Sequence, residues 1–238
     1  MRTFFRFLKQ LLLTLLLLLL LALVAVGGYF ALEGRKLYES AIQSVPIETL
    51  YETISARPNF VSYKELPQIY VNAVISTEDA RFVHHHGVDP ASIFRALLAD
   101  LRSGSFAEGG STLTQQLAKN ALFTQEKHMA RKAAEMFAAL AIEKQYNKEQ
   151  IFEMYVNTIY FGSGYYGIGE AAQGYFGKTP LAGLPNAPSA YSPNSSPDLA
   201  YKRTQVVLKR MVQCKKLTQT QADAIAADAQ GLQVLPAQ

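Results

Sequence analysis

The sequence predicts a mainly α protein carried on a single membrane-spanning helix. An unbroken apolar run fills Leu11 to Phe30, apolar residues recur at helical spacing through much of the remainder, and the alternation that makes strands is scarce.

The apolar run comes first in the chain and contains Thr14 as its only clearly polar side chain. That is enough helix to cross a bilayer core of about 30 Å. Arg2, Arg6 and Lys9 precede it with no acidic residue among them, which predicts a cytoplasmic amino terminus and an outward-facing remainder. Small residues between Ala22 and Gly28 offer a signal-peptide cleavage site, but the run exceeds the usual apolar core of about 7 to 15 residues and favours a retained anchor. The expected organisation is a basic tail (1–10), a transmembrane helix (11–31), a stalk (32–65), a folded domain (66–213) and a helical tail (214–238).

The formal charge of +4 sits largely in that tail. Setting Arg2, Arg6 and Lys9 aside leaves 20 basic residues against 19 acidic ones, so the body is no polycation and no nucleic-acid partner is expected. Any anion-binding role must come from a local cluster. A lone cysteine, Cys214, excludes an intrachain disulfide, reads as a small apolar filler, and leaves stability to ordinary packing.

After the anchor, Glu33 to Pro67 has mixed polarity, three prolines and no long period. Its tyrosines, Tyr38, Tyr51 and Tyr63, either sit at a headgroup interface or cover the domain. From Val71 to Gly87 the spacing predicts a helix on which Val71, Val74, Ile75, Glu78 and Phe82 recur at i, i+3, i+4, i+7 and i+11. A carboxylate in line with an apolar stripe loses hydration of its charged form, so its pKa is expected to rise until it exchanges protons near neutral pH. The competing reading ends the helix near Ser76 and leaves Glu78 in an exposed turn.

Asp89-Pro90 restarts helix, with Pro90 suited to a first helical position. Ile93, Phe94, Leu97, Leu98 and Leu101 then make an apolar face that either joins the core or dips into lipid. Beyond the Ser103–Gly110 loop, Ser111 or Thr112 caps a helix carrying Gln115, Gln116 and Lys119. Lys127, Arg131, Lys132 and Glu135 follow on a run reaching about Tyr146; taken alone, Arg131 and Glu135 make an ordinary i, i+4 surface pair worth a few tenths of a kcal/mol. Asn147 to Asn157 starts another helix, and Gly162, Gly164, Gly167, Gly169 and Gly174 predict tight turns between short helices. Leu181 to Pro197 is proline-rich and irregular, and Asp198 to Met211 returns to helix.

Several motifs fail. GKT at Gly177 to Thr179 lacks the first glycine of a phosphate loop, because position 172 is Ala172. His84, His85 and His86 cannot all point one way on a helix and have no HExxH partner. No Ser-x-x-K occurs, so an acyl-serine transpeptidase is not encoded in these residues.

Five stretches then line up in order: EDARFVHHHG (Glu78 to Gly87), GGSTLTQQLAKN (Gly109 to Asn120), RKAAE (Arg131 to Glu135), KEQIFEMYVNTIYFG (Lys148 to Gly162) and KRTQVVLKRM (Lys202 to Met211). Together they resemble the motifs of the bacterial peptidoglycan glycosyltransferase family, over about Leu66 to Met211. The resemblance implies a lysozyme-like, mostly helical domain of the monofunctional type, in the cytoplasmic membrane, polymerising lipid II into a nascent glycan strand alongside other cell-wall synthesis proteins. It implies Glu78 as general base for the acceptor's 4-hydroxyl and Glu135 as a second carboxylate near the donor's pyrophosphate. Lys119, Lys127, Arg131 and Lys132 would face the pyrophosphate, with a divalent metal, Mg²⁺ or Mn²⁺, near Glu135. Gln115, Gln116 and Ser111 would bond the substrate or hold the loop, while Asp79, Arg81 and His85 either touch substrate or orient the backbone. Glu153 and Arg203 read as a structural charge and its partner.

The residue types suit that chemistry. A hydroxyl nucleophile needs a base, and charge collecting on a departing pyrophosphate is stabilised by fixed cations. One departure stands out: after Gly177-Lys178 the family continues through an acidic, alanine-rich helix, whereas Thr179-Pro180 here runs straight into Leu181, a loss of about three turns. Removing a packed helix exposes core, so an impaired lipid II-binding or scaffold protein is the alternative, and a glycan-cleaving enzyme on the same fold a third reading.

Overall fold

The computed structural model describes residues 2–104, 109–124, 129–176 and 197–232. Lys127 and the 177–196 stretch, which holds the departure from the family pattern, lie outside the described residues.

Helix α1 (Arg2–Ser44) passes the expected boundary at residue 31 without a break. Along its first part the side chains are uncovered, and by length and composition it is the one described helix able to cross a membrane. The part expected to be a stalk instead begins as helix docked on α6 (Met129–Gln145). Gly34 marks the crossing: a Cβ there would lie 2.5 Å from the Ala133 Cβ and 2.7 Å from the Ala130 carbonyl oxygen. The contact runs through small residues, so no wide apolar stripe announces it in the sequence. Tyr38 packs on Phe137 of α6, with ring centroids 6.2 Å apart.

The core gathers α2 (Leu50–Ser55), α3 (Gln68–Glu78), α5 (Leu113–Leu122), α6 and α7 (Lys148–Val156) around Leu50, Tyr70, Val74, Leu117, Phe152 and Tyr155. From α7, polar groups clamp the segment leading into α3. The Asn157 side chain donates to the Val61 carbonyl at 2.8 Å and accepts from the Val61 N–H at 2.9 Å. Glu153 accepts from the Tyr51 hydroxyl at 2.6 Å and from the Tyr63 N–H. Tyr51 and Tyr63 therefore cover the domain.

Bonding to Glu153, together with burial and the nearby charge, pushes the Tyr51 phenol up to about 12. An unfolded tyrosine titrates near 10. Because the folded value is the higher one, this group's contribution to stability is whole below about pH 10 and is lost as pH rises through 12. Thermal unfolding of the full chain in detergent should show a falling Tm above pH 10, and Tyr51→Phe should make the fall shallower. An unchanged pH profile in that variant would refute the assignment.

Glycine-rich sequence after α7 forms a short antiparallel hairpin, β1 (Tyr160–Gly162) with β2 (Tyr165–Tyr166), before α8 (Ile168–Phe176), where turns between helices were expected. Phe161 is buried, and Tyr175 is half-buried against the core. Helices α9 (Pro197–Gln213) and α10 (Gln219–Leu232) build a smaller cluster with Ala73 of α3, using Val207, Leu208, Met211 and Ala222.

Helix α4 (Pro90–Ser103) starts as expected, with Asp89 as cap and Pro90 in the first turn, but the core reading of its apolar face is wrong. Phe94 is 62% exposed and Leu101 73%, and no residue of α4 is buried. The apolar face has no partner among the described residues.

Candidate active site

Helix α3 ends on Glu78 itself, between the two expectations for this stretch. Val71 and Val74 bury the stripe, and Phe82 rejoins it through a separate 3₁₀ turn (Phe82–His84). The helix stops because the next residue is committed elsewhere: the buried Asp79 carboxylate accepts from the Leu113 N–H at 3.0 Å and meets His85 Nε2 at 2.8 Å. The Gly87 N–H donates to His85 Nδ1 at 3.2 Å, which assigns the ring proton to Nε2 and makes it the donor to Asp79. His84 and His86 are exposed.

Further contacts pin this loop. Lys148 of α7 donates to the His85 carbonyl at 2.7 Å and pairs with Glu143 at 2.8 Å, and the Thr112 hydroxyl donates to the Gly87 carbonyl at 2.6 Å. Gly87 has φ +96°, and a Cβ there would lie 2.7 Å from the Ala139 carbonyl oxygen. Gly87→Ala should therefore cost at least about 1–2 kcal/mol from backbone conformation alone, more with the clash, and a wild-type Tm in that variant would contradict the pinned loop.

Held at the end of this platform, Glu78 is 15% exposed and accepts from Gln116 Nε2 at 3.3 Å. Arg203 of α9 stands 3.5 Å from its other oxygen. Sequence reasoning treated Arg203 as structural and as Glu153's companion. The two are not partners: Glu153 serves Tyr51 and Tyr63, and Arg203 serves Glu78. The available signal was the KRTQVVLKRM stretch, whose Arg203, Val207 and Arg210 share one helical face toward α3.

Glu78 opens onto a cleft of about 380 Å³. Its walls come from the end of α3, from α4, from the turn before α5 and from α9; Gln116, Ser111, Arg95, Arg210 and Cys214 all line it. Cys214 is thus half-buried at a cleft, with its sulfur 3.9 Å from the Ser76 carbonyl, and is not a core filler.

Ser111 connects this cleft to the cations of α6. Its hydroxyl accepts from Lys132 Nζ at 2.7 Å, and the same ammonium lies 2.7 Å from Glu135 Oε2. Arg131 Nε sits 3.1 Å from Glu135 Oε1, close enough for ion pairing but not aligned as a hydrogen bond. Glu135 is 1% exposed, so this triad is no ordinary surface pair. The carboxylate is the buried post on which two cations are fixed, one of them, Lys132, with a side chain 45% exposed.

Other expected site residues are placed differently. Gln115 is buried and closes a capping box with Thr112, accepting from its N–H at 3.0 Å, so it holds the loop while Gln116 faces Glu78. Arg81 pairs with the buried Asp89 at 3.0 Å, outside the Glu78 cluster. Burial raises the Asp89 carboxyl, but bonds from Ser92, the Arg81 charge and the Ala91 N–H outweigh it and hold it below its ordinary value. Lys119 lies one turn beyond Gln116 on α5, half-buried and without a partner among the described residues. The donor set does not fit a resident Mg²⁺ or Mn²⁺: Glu135 already faces two cations, and among the described residues no three His, Cys, Asp or Glu side chains converge.

A carboxylate lining a cleft, with Ser111 of the same lining bonded to a cation fixed on α6, sits on a helical domain joined to a long apolar helix, an arrangement suited to group transfer with an anionic leaving group. The chain belongs to the transglycosylase family, whose profile matches residues 45–212. It is 42% identical over 185 residues to penicillin-binding protein 1A/1B of Bacillus subtilis, covering 73% of this chain and 20% of that protein. To penicillin-binding protein 1A of Escherichia coli it is 45% identical over 179 residues, 71% of this chain and 21% of that protein. With penicillin-binding protein 1A of Vibrio cholerae the identity is 37% over 245 residues, 94% and 30% of the two chains. The chain thus spans less than a third of the length of these relatives.

Proposed function

We propose that the chain is an inverting peptidoglycan glycosyltransferase that polymerises lipid II. The observation that carries this reading is the shared cleft: Glu78 lies in one wall, and Ser111, bonded to Lys132, lies in another. In the proposed step the acceptor sugar's 4-hydroxyl gives its proton to Glu78 as its oxygen bonds the donor's anomeric carbon. The bond from that carbon to the diphosphate breaks, and its electron pair leaves on the diphosphate oxygen. Attack opposite the leaving group inverts the centre and yields a β-1,4 link.

Arg131 and Lys132 meet the charge growing on the diphosphate, and Lys119 and Lys127 are assigned to the same anion. Glu135 organises the first two, Gln116 and Arg203 orient Glu78, and Asp79, His85 and Gln115 position the loops behind them. Since no metal-binding group of side chains converges among the described residues, no step is routed through a metal.

A membrane setting follows from the same reading. The spanning part of α1 anchors the chain with its basic amino terminus in the cytoplasm and the domain outside. The uncovered apolar face of α4 enters the outer lipid surface, bringing the cleft to a substrate that never leaves the membrane.

Purified full chain incubated with lipid II in detergent should yield long glycan and release undecaprenyl diphosphate. Bound substrate without product would instead support an impaired binder, and release of fragments from cell-wall sacculi would support a cleaving enzyme.

A further inference from the structure

The thiol of Cys214 is a nucleophile that the step described above does not use, and it lies in the wall of the Glu78 cleft. The Cys214 N–H donates to the Arg210 carbonyl at 2.9 Å, which continues the α9 spiral just past Gln213 and leaves the side chain half-buried against α3. Its sulfur is 3.9 Å from the Ser76 carbonyl. Ser76, in the same lining, is 3% exposed, and its hydroxyl has no hydrogen-bond partner among the described residues. The Thr77 hydroxyl beside it is buried and unpartnered in the same sense. Buried hydroxyls without partners are costly, and a polar atom of a group seated in the cleft relieves that cost.

We propose that Cys214 is a thiolation site, at which a small anionic disulfide caps the thiol and obstructs the cleft. The thiol gives its proton to solvent, and the thiolate attacks one sulfur of the disulfide. A new S–S bond forms as the old one breaks. The electron pair of the broken bond leaves on the second sulfur, which takes up a proton and departs as a free thiol. One disulfide is exchanged for another, so no separate oxidant is required, and a reducing thiol reverses the step. A domain outside the cytoplasm meets such disulfides unreduced.

The charge of the cleft selects the reagent. Both carboxylates of the lining are answered, Glu78 by Arg203 and Asp79 by His85 and the Leu113 N–H. Arg95 and Arg210, in the same lining, are exposed, and their bonds go to neutral groups, the Ser92 hydroxyl at 2.9 Å and the Gln213 side chain at 3.4 Å. The field around the thiol is therefore positive, and it draws in an anionic disulfide ahead of a cationic one. Position then turns modification into inhibition. In a cleft of about 380 Å³, a group bonded to the wall takes up space that a sugar approaching Glu78 needs. This second part rests on the reading of the chain as a lipid II polymerase; the modification itself does not.

Intact mass of the full chain in a zwitterionic detergent reads the modification directly, because Cys214 is the only cysteine. Dithiodipropionate, a dianion, should add one carboxyethylthio group per chain. With each rate divided by that reagent's rate with mercaptoethanol, it should react about tenfold faster than the dication cystamine, and the gap should close at high salt. The adduct should polymerise lipid II at least about tenfold more slowly than the parent at an unchanged Tm, and dithiothreitol should restore the rate. Cys214→Ser and Cys214→Ala should each polymerise within about threefold of the parent and ignore the reagent; two replacements guard against a folding defect in one. No adduct on the folded chain, or a normalised rate higher for cystamine, overturns the site. An adduct of full activity, equal inhibition of both variants, or a collapsed Tm in the adduct overturns obstruction of the cleft. An adduct on a parent chain that forms no polymer would leave the thiolation site standing and refute the proposed activity, so the two failures are distinct.

Discussion

Glu78→Gln should lower the rate of glycan formation by about 10³-fold, equivalent to roughly 4 kcal/mol of barrier, while leaving the fold intact. The amide keeps the shape of the side chain and can still meet Gln116, but it cannot take a proton from an attacking hydroxyl. Little stability should go with it. The Arg203 contact is 3.5 Å long and both partners are partly exposed, which places its worth within about 1 kcal/mol. A fall in rate with an unchanged Tm separates loss of a base from loss of structure. Polymer formed by Glu78→Gln at the parent rate would end the role assigned to the residue.

Lys132→Met should be the next most damaging change, with kcat reduced about 10²- to 10³-fold, the usual cost of removing one fixed donor at a developing anion. Lys132 is the exposed member of its triad and touches both Ser111 in the cleft wall and the buried Glu135. Methionine preserves the stem and removes only the charge. Arg131 remains to face Glu135, so the loss of stability should stay near 1.5–3 kcal/mol, the worth of a hydrogen bond to a charged group. The informative quantity is the ratio of kcat to KM effects, since a cation acting on the leaving group shows mainly in kcat. An effect on KM alone would move Lys132 from transition-state stabilisation to simple substrate capture.

Part of the candidate site is legible in the sequence, and the reason differs from residue to residue. Glu78 stood out because a carboxylate in an apolar stripe violates the helical pattern, and the α6 cations because the rest of the domain is nearly neutral. What stayed hidden depends on contacts between distant parts of the chain. Arg203 reaches Glu78 only because α9 packs on α3, and nothing local to either segment says so. Gln115 and Gln116 are adjacent and chemically identical, yet successive helix positions are rotated by about 100°, so one closes a capping box and the other faces the cleft. The docked end of α1 was missed because Gly34 and the alanines of α6 make their contact by being small. For α4 the periodicity was plain, but periodicity reports an apolar face and not what covers it.

The central claim is that Glu78 receives the acceptor's proton, and chemical rescue tests it most directly. Glu78→Ala removes the carboxylate and opens space beside the cleft that formate can enter. The account predicts that this variant is inactive alone and gains polymerisation as formate is added, whereas benzoate, too large for the gap, restores nothing. Polymerisation by Glu78→Ala at the parent rate without any added carboxylate would contradict it.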